Sequence, residues 1–272
     1  MNFEAIQAVR KRAVLEITLN KPESRNAMSL AMVAELQQTL EGAEQSAGQP
    51  DAVRVVLLRG AGGHFCSGAD LKDMAAARMR AMQGGDDGTD PIAEVNARFG
   101  RMCAAYANSP LAIVAVLEGT VMGGGFGLAC VADVAIASET ASFRLPETSL
   151  GVVPAQIAPF LVERLGYSQA KRLAVTGGRL DAAAALHIGL VHQQVATDQL
   201  QPAIDAVLAD ILACAPGALA ATKALMAKAR LQVPASLVDE AAAIFSRAAQ
   251  GPEGMEGMGA FIQKRKPNWV PA

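Results

Sequence analysis

Leu111-Ala-Ile-Val-Ala-Val-Leu-Glu-Gly-Thr-Val-Met-Gly-Gly-Gly-Phe-Gly127 runs from an uncharged apolar stretch into glycine-rich sequence, and helix-capable Leu128 to Val131 follows before Asp133-Val-Ala-Ile-Ala137. The apolar run Leu111 to Val116 has no polar alternation and is too short for a helix, so it reads as a strand buried on both faces. Strand, turn, helix and strand therefore follow one another here. The same succession lies upstream. In Val14-Leu-Glu-Ile-Thr-Leu19, alternation puts Leu15, Ile17 and Leu19 on one face, and Asn20-Lys-Pro22 ends the strand. Ser29 stands as an N-cap before Met32, Val33, Leu36 and Leu40, spaced three and four apart, with Gly42 near the helix end. Val53 to Leu58 is a second buried strand, entering Gly60-Ala-Gly-Gly63. This alternation predicts an α/β layered core.

Beyond residue 197 the period changes. Leu200, Ile204, Val207, Leu208, Ile211 and Leu212 form one helical stripe, and Leu219, Thr222, Leu225 and Met226 begin another after Pro216-Gly217. Residues 1–197 are thus expected to form the core with the active site, and 198–272 a helical C-terminal subdomain. Gln83-Gly-Gly-Asp-Asp-Gly-Thr-Asp90, polar and without apolar period, is expected to be a mobile surface loop.

Composition narrows the function classes. A chain that is 51% hydrophobic and 18% charged can bury a sizeable core, and only 4% of it is aromatic, too little for a base-stacking platform. Net charge is -2 with dispersed basic residues, so no phosphate-tracking stripe exists and nucleic acid is not an expected partner. Cys66, Cys103, Cys130 and Cys214 lie far apart and form no ligand pattern with the three histidines, so no metal is expected and the thiols read as reduced. There is no apolar leader after Arg10-Lys-Arg12 and no run long enough to span a membrane; the expectation is a cytoplasmic protein.

Two glycine turns carry the chemistry. Gly123-Gly-Gly-Phe-Gly127 fails the dinucleotide register G-x-G-x-x-G, because Cys130 or Leu128 stands where the third glycine is needed. No glycine loop is followed by Lys-Ser/Thr, which excludes a P-loop. The turn is either a tight packing turn or an oxyanion site. Phe65-Cys-Ser-Gly-Ala-Asp-Leu71 also follows a buried strand, so two small-residue turns could aim backbone N–H groups at a single oxygen.

These residues, in this order, resemble the crotonase or enoyl-CoA hydratase/isomerase superfamily. Matching segments span nearly the whole chain: Leu19-Asn-Lys-Pro-Glu-Ser-Arg-Asn-Ala27, Leu128-Ala129 with Asp133, Pro146-Glu147 with Leu150-Gly151 and Pro154, Leu186-His-Ile-Gly-Leu-Val191, and Phe261-Ile-Gln-Lys-Arg-Lys-Pro-Asn268. The resemblance implies a spiral of repeated β-β-α units, a C-terminal region that mediates trimer formation, and a homotrimer or homohexamer. It implies that the N–H groups of Ala69 and Gly124, the latter beside Gly123, hold an acyl-CoA thioester oxygen. It places Arg25, Ala27, Ser67 and Asp70 at coenzyme A, with Lys264 and Lys266 as weaker contributors. Coenzyme A enters as part of the substrate, and no separate cofactor is implied.

Glu147 falls on one of the family's two catalytic glutamates, and Gly127 stands where the other would be. Glu147 then acts alone, or another group assists; Gln156, nearest in sequence, could hold a water. Replacing a glutamate by Gly127 could also make room for a 3-substituent, or only relax the turn. Phe126-Gly127 and Pro154-Ala-Gln-Ile-Ala-Pro159 are most similar to bacterial hydratases of branched glutaconyl-CoA substrates, isohexenylglutaconyl-CoA among them, implying acyclic terpene or leucine catabolism. The expected activity is enoyl-CoA hydration. A Δ3,Δ2-enoyl-CoA isomerase using Glu147 is the main rival, and a non-catalytic acyl-CoA binding protein the second. His64 is expected to face outward, a structural role is expected for His64, His187 and His192 alike, and Asp133 is expected to be a buried strand-start residue and Cys66 a packing residue.

Overall fold

The computed structural model describes residues 3–49, 51–83 and 90–271; most of the expected loop from Gln83 to Asp90 lies outside the described residues. Nine strands are described: β1 (Ile6–Lys11), β2 (Val14–Leu19), β3 (Val55–Gly60), β4 (Ala112–Leu117), β5 (Thr120–Met122), β6 (Val134–Ser138), β7 (Ser142–Arg144), β8 (Arg179–Asp181) and β9 (Gln193–Val195). The α-helices are α1 (Leu30–Glu44), α2 (Leu71–Gln83), α3 (Pro91–Asn108), α4 (Gly124–Val131), α5 (Ala158–Thr176), α6 (Ala182–His187), α7 (Leu200–Ala213), α8 (Pro216–Ala229), α9 (Val238–Gln250) and α10 (Pro252–Ile262).

The main sheet has the order β1-β2-β3-β4-β6-β9, antiparallel at β1–β2 and parallel elsewhere. Its buried strands lack polar alternation because both faces are covered. Val56, Leu58, Ile113, Ala115 and Leu117 join the cluster containing Met32, Leu36, Met102, Tyr106 and Leu128. Their neighbours Val55, Leu57, Ala112, Val114 and Val116 face the other way, onto Leu200, Ile204 and Val207 of α7. Each such Val, Leu or Ile side chain contributes about 1.5–3 kcal/mol when fully withdrawn from water.

The repeat is visible in how strands leave this sheet. After β4 the chain makes β5 and then α4; after β6 it makes β7 and then α5. β4 and β6 pair in the main sheet, while β5 pairs with β7 in a second sheet of order β5-β7-β8. β3 begins the same pattern one step earlier, with Cys66 bridging Val121 in parallel before α2. Three successive β-β-α turns stack side by side, which is the expected spiral. Strand β1 was not foreseen: Ile6-Gln-Ala-Val-Arg-Lys11 ends in charges, and pairing along an edge with β2 rather than burial holds it.

α1 starts where Ser29 predicts, its Oγ accepting from the Met32 N–H at 3.1 Å. α8 and α9 contain no buried residues, and Phe245, Phe261 and Ile262 are 74, 86 and 79% exposed. The C-terminal strand of chain after α10 is tied to the core by the Arg54 guanidinium, which donates to the carbonyls of Trp269, Leu212 and Cys214. Asp133 is exposed rather than buried. Its carboxylate accepts from the Ile113 N–H at 2.7 Å and from Lys223 at 2.6 Å, so it joins β4 to α8 from the sheet margin. Among the described residues no single helix is long and apolar enough to cross a membrane.

Candidate active site

Two short ladders bring the glycine turns together. Met28 bridges Ala69 in parallel: the Met28 N–H donates to Gly68 O at 2.7 Å and the Asp70 N–H to Met28 O at 3.1 Å. In that geometry the N–H of Ala69 itself faces away from Met28. The Cys66 N–H donates to Thr120 O, and the Met122 N–H returns to Cys66 O, joining this turn to β5. Glycine is needed at the closest approaches. A Cβ on Gly125 would lie 2.7 Å from Cys66 Cβ and 2.8 Å from Cys66 O, and Gly123 has φ +47. Gly124 opens α4, so its N–H is among the first-turn donors that find no acceptor inside a helix. Ala69 and Gly124 both line one cavity of about 430 Å³.

Asn26, unassigned by sequence reasoning, organises the approach. It is fully buried; its Oδ1 accepts from the Lys21 N–H at 2.9 Å, while its Nδ2 donates to Ala61 O at 2.9 Å and His64 O at 2.7 Å. His64 does not face outward: its Nδ1 accepts from the Thr120 N–H at 3.0 Å, fastening the first turn to β5. Asn26→Ala strands these buried partners and is expected to cost about 2 kcal/mol or more, a fall in Tm of roughly 4–8 °C in a thermal melt. An unchanged Tm would show that the loops hold without it.

Glu147 enters from the second sheet. β7 ends at Arg144, whose carbonyl accepts from the Gly123 N–H at 3.2 Å, and Pro146 precedes a 3-10 turn from Glu147 to Leu150 that Gly151 closes at φ +76. The carboxyl group lies beside the second turn: a Cβ on Gly123 would be 3.2 Å from Glu147 Oε1. Oε2 is buried with no hydrogen-bond partner. Desolvation raises the Glu147 pKa, with its own backbone N–H opposing. A buried carboxyl oxygen with no protein partner is a candidate for a catalytic role.

Of the residues named from sequence, Ala69, Asp70, Gly124, Glu147 and Gln156 line this cavity. Arg25, Ala27 and Ser67 sit just behind the first turn: the Ser67 N–H donates to Arg25 O at 2.9 Å, Ser67 Oγ to Ser24 O at 2.8 Å, and the Ala27 N–H to Ser24 Oγ at 3.2 Å. Gly123 caps α4, and Lys264 follows α10 with φ +56; neither lines the cavity. Cys66 is buried, and desolvation pushes its thiol up to about 11, as suits a packing residue. His192 also serves structure, its Nδ1 accepting from the Ala135 N–H at 2.9 Å.

The space beside Gly127 is not open. A Cβ there would lie 3.1 Å from Phe99 Cζ and 3.2 Å from Ile157 Cγ1, so these side chains fill the space beside it and leave no room for a 3-substituent at that point. Phe99 and the cavity-lining Asn96 come from α3, which sequence reasoning did not identify. Its signals were legible: Asp90 caps it, accepting from the Ile92 and Ala93 N–H groups, Pro91 stands at its first turn, and Phe99, Met102 and Tyr106 recur at three and four residues.

The family described as "Enoyl-CoA hydratase/isomerase" matches residues 9–271. Mevalonyl-coenzyme A hydratase sidH of Aspergillus fumigatus is 33% identical over 267 residues, covering 95% of this chain and 92% of that protein. Among solved structures, an enoyl-CoA hydratase/isomerase from Marinobacter aquaeolei is 47% identical with a TM-score of 0.92, covering 98% of this chain and 99% of that one. Pseudomonas aeruginosa AtuE is 48% identical with a TM-score of 0.92, covering 98% and 100%.

Proposed function

This chain belongs to the enoyl-CoA hydratase/isomerase family, and from that premise we propose that it hydrates the α,β double bond of an acyl-CoA with a branched, glutaconyl-type acyl group. The observation that carries the reading is the half-buried Glu147, whose Oε2 is buried without a protein partner, lining the cavity that Ala69 and Gly124 also line. Ionised Glu147 takes a proton from water as the water oxygen bonds to C3. The electron pair displaced from the double bond moves onto the thioester oxygen, where the N–H groups of Ala69 and Gly124 receive the charge. Glu147 then gives the same proton to C2. One carboxyl group suffices because it accepts and returns a single proton.

Met28, Leu30, Val33, Met74, Ile92 and Phe99 give the cavity apolar walls, which suit the hydrocarbon part of such an acyl group. Asp70 in the cavity wall and Arg25, Ala27 and Ser67 beside the first turn serve coenzyme A, with Lys264 a further charge for its phosphates. The exposed apolar side chains of α9 and α10 support assembly as a homotrimer or homohexamer. The test is incubation with 3-methylglutaconyl-CoA, 3-methylcrotonyl-CoA, crotonyl-CoA and a 3-enoyl-CoA, followed by mass detection. The expected product gains one water, fastest with a 3-branched probe. A shifted double bond at constant mass would replace hydration by isomerisation, and tight binding without turnover would leave a binding protein. Among the described residues lining the cavity there is no cation, so the two 3-methyl probes also separate preference for the branch from preference for the distal carboxylate.

A further inference from the structure

The side chains that close the space beside Gly127 each have an amide neighbour. Asn96 lies one turn before Phe99 on α3 and so shares its face, and Gln156 immediately precedes Ile157. Gln156 Nε2 donates to Asn96 Oδ1 at 2.9 Å, and both residues line the cavity with Glu147. Gly100 provides the seat for this pair: a Cβ there would fall 2.0 Å from Gln156 Oε1, so the amide lies directly against the α3 backbone. After the bond between them, Gln156 Oε1 keeps acceptor capacity and Asn96 Nδ2 keeps two donors, and neither has another protein partner among the described residues. Turning both amides over exchanges the two roles without removing either. Among the described residues, the other polar side chains lining the cavity, Asp70, Asp73, Asp90 and Glu147, are all carboxyl groups.

We propose that the Asn96–Gln156 amide pair is the second half of the water site, holding the attacking water against Glu147 in place of the carboxyl group that Gly127 lacks. Water offers two protons and two lone pairs. One proton goes to Glu147, the other bonds an amide oxygen, an amide N–H holds one lone pair, and the remaining lone pair faces C3. Amides do not titrate, so the pair orients the water while Glu147 alone carries the proton. This rests on the hydratase reading above.

The test separates water addition from proton transfer. Hydration is measured with whichever of the 2-enoyl probes the wild type turns over fastest. Base function is measured separately, as exchange of the α-hydrogens of butyryl-CoA in deuterium oxide, which needs Glu147 and the thioester site but no positioned water. Asn96→Leu and Gln156→Leu are expected to lower hydration by about 100-fold, the scale of a misplaced reactant, while exchange stays near wild type. Gln156→Glu keeps an acceptor that Asn96 can meet by turning its own amide, and is expected to recover most of the hydration rate. It also keeps the polar contact at Gly100 should the leucine variant fail to fold. If hydration and exchange fall together, or neither falls, the water site is overturned while the hydratase reading stands. If the wild type exchanges butyryl-CoA but adds water to no probe, the hydratase reading fails and the water site with it.

Discussion

Glu147→Gln is expected to lower kcat for hydration by about 10²- to 10⁴-fold, the span of a lost general acid–base group, while the Kd for an acyl-CoA stays close to wild type. Glutamine has the same shape and keeps the contact beside Gly123, but it cannot take the proton from water or return it to C2. The pH dependence follows from burial. Desolvation raises the Glu147 pKa, and the ionised form is the one that accepts water's proton, so kcat/KM should fall on the acid side with a midpoint above the usual carboxylate range. The stability sign is opposite to that of a salt-bridged carboxylate. A folded-state pKa raised above the unfolded value means that the folded protein holds the extra proton; the favourable contribution is complete below the unfolded pKa and is lost as pH rises through the folded one. At neutral pH the charged, half-buried Glu147 therefore costs stability. Glu147→Gln should melt at or above the wild-type temperature although it is inactive, and titration calorimetry should still register acyl-CoA. A rate unaffected by the substitution would remove Glu147 from the mechanism.

The core was readable because its strands are buried on both faces. Val53 to Leu58 and Leu111 to Val116 could satisfy no other environment, and the observed β3 and β4 shift from those expectations by only a residue or two. The turns were readable because close backbone approach permits only glycine at positions such as Gly125. The edge strand β1 was not, since its side chains are mostly exposed and its stability comes from backbone pairing, which leaves no side-chain pattern. The contents of the cavity were legible only in part. The resemblance implied a missing carboxyl group at Gly127, but what fills the space beside it comes from Phe99 on α3 and Ile157 before α5, elements distant in sequence that meet only in the fold. The same holds for Asn96 and Gln156, which are 60 residues apart and bonded. His64 shows the converse, a residue that sequence turned outward and that tertiary hydrogen bonding holds in place.

Gly124→Pro is expected to lower kcat by about 10²- to 10³-fold, the effect of removing one oxyanion donor, with a smaller change in KM. The substitution is informative because of where Gly124 sits. It is the first residue of α4, a position at which proline's fixed φ fits and its missing N–H breaks no intrahelical bond. The lost atom is therefore the N–H that the proposed mechanism assigns to the thioester oxygen, on a residue that lines the cavity. The added Cβ meets side chains rather than backbone: it would lie 3.3 Å from Phe99 Cε2 and 3.5 Å from its Cζ, with Met28 Cβ at 3.7 Å. Gly124→Ala supplies the control, since it adds the same Cβ while retaining the N–H. If the donor matters, the alanine variant stays close to wild type and the proline variant does not, with comparable melting temperatures. The loss should fall mainly on kcat because the thioester oxygen acquires its full negative charge only as the enolate forms, and a donor aimed at that charge is strongest there. Equal rates for the two variants would show that the Gly124 N–H does not hold the thioester oxygen, and would leave Ala69 and the first turn to stabilise the enolate without it.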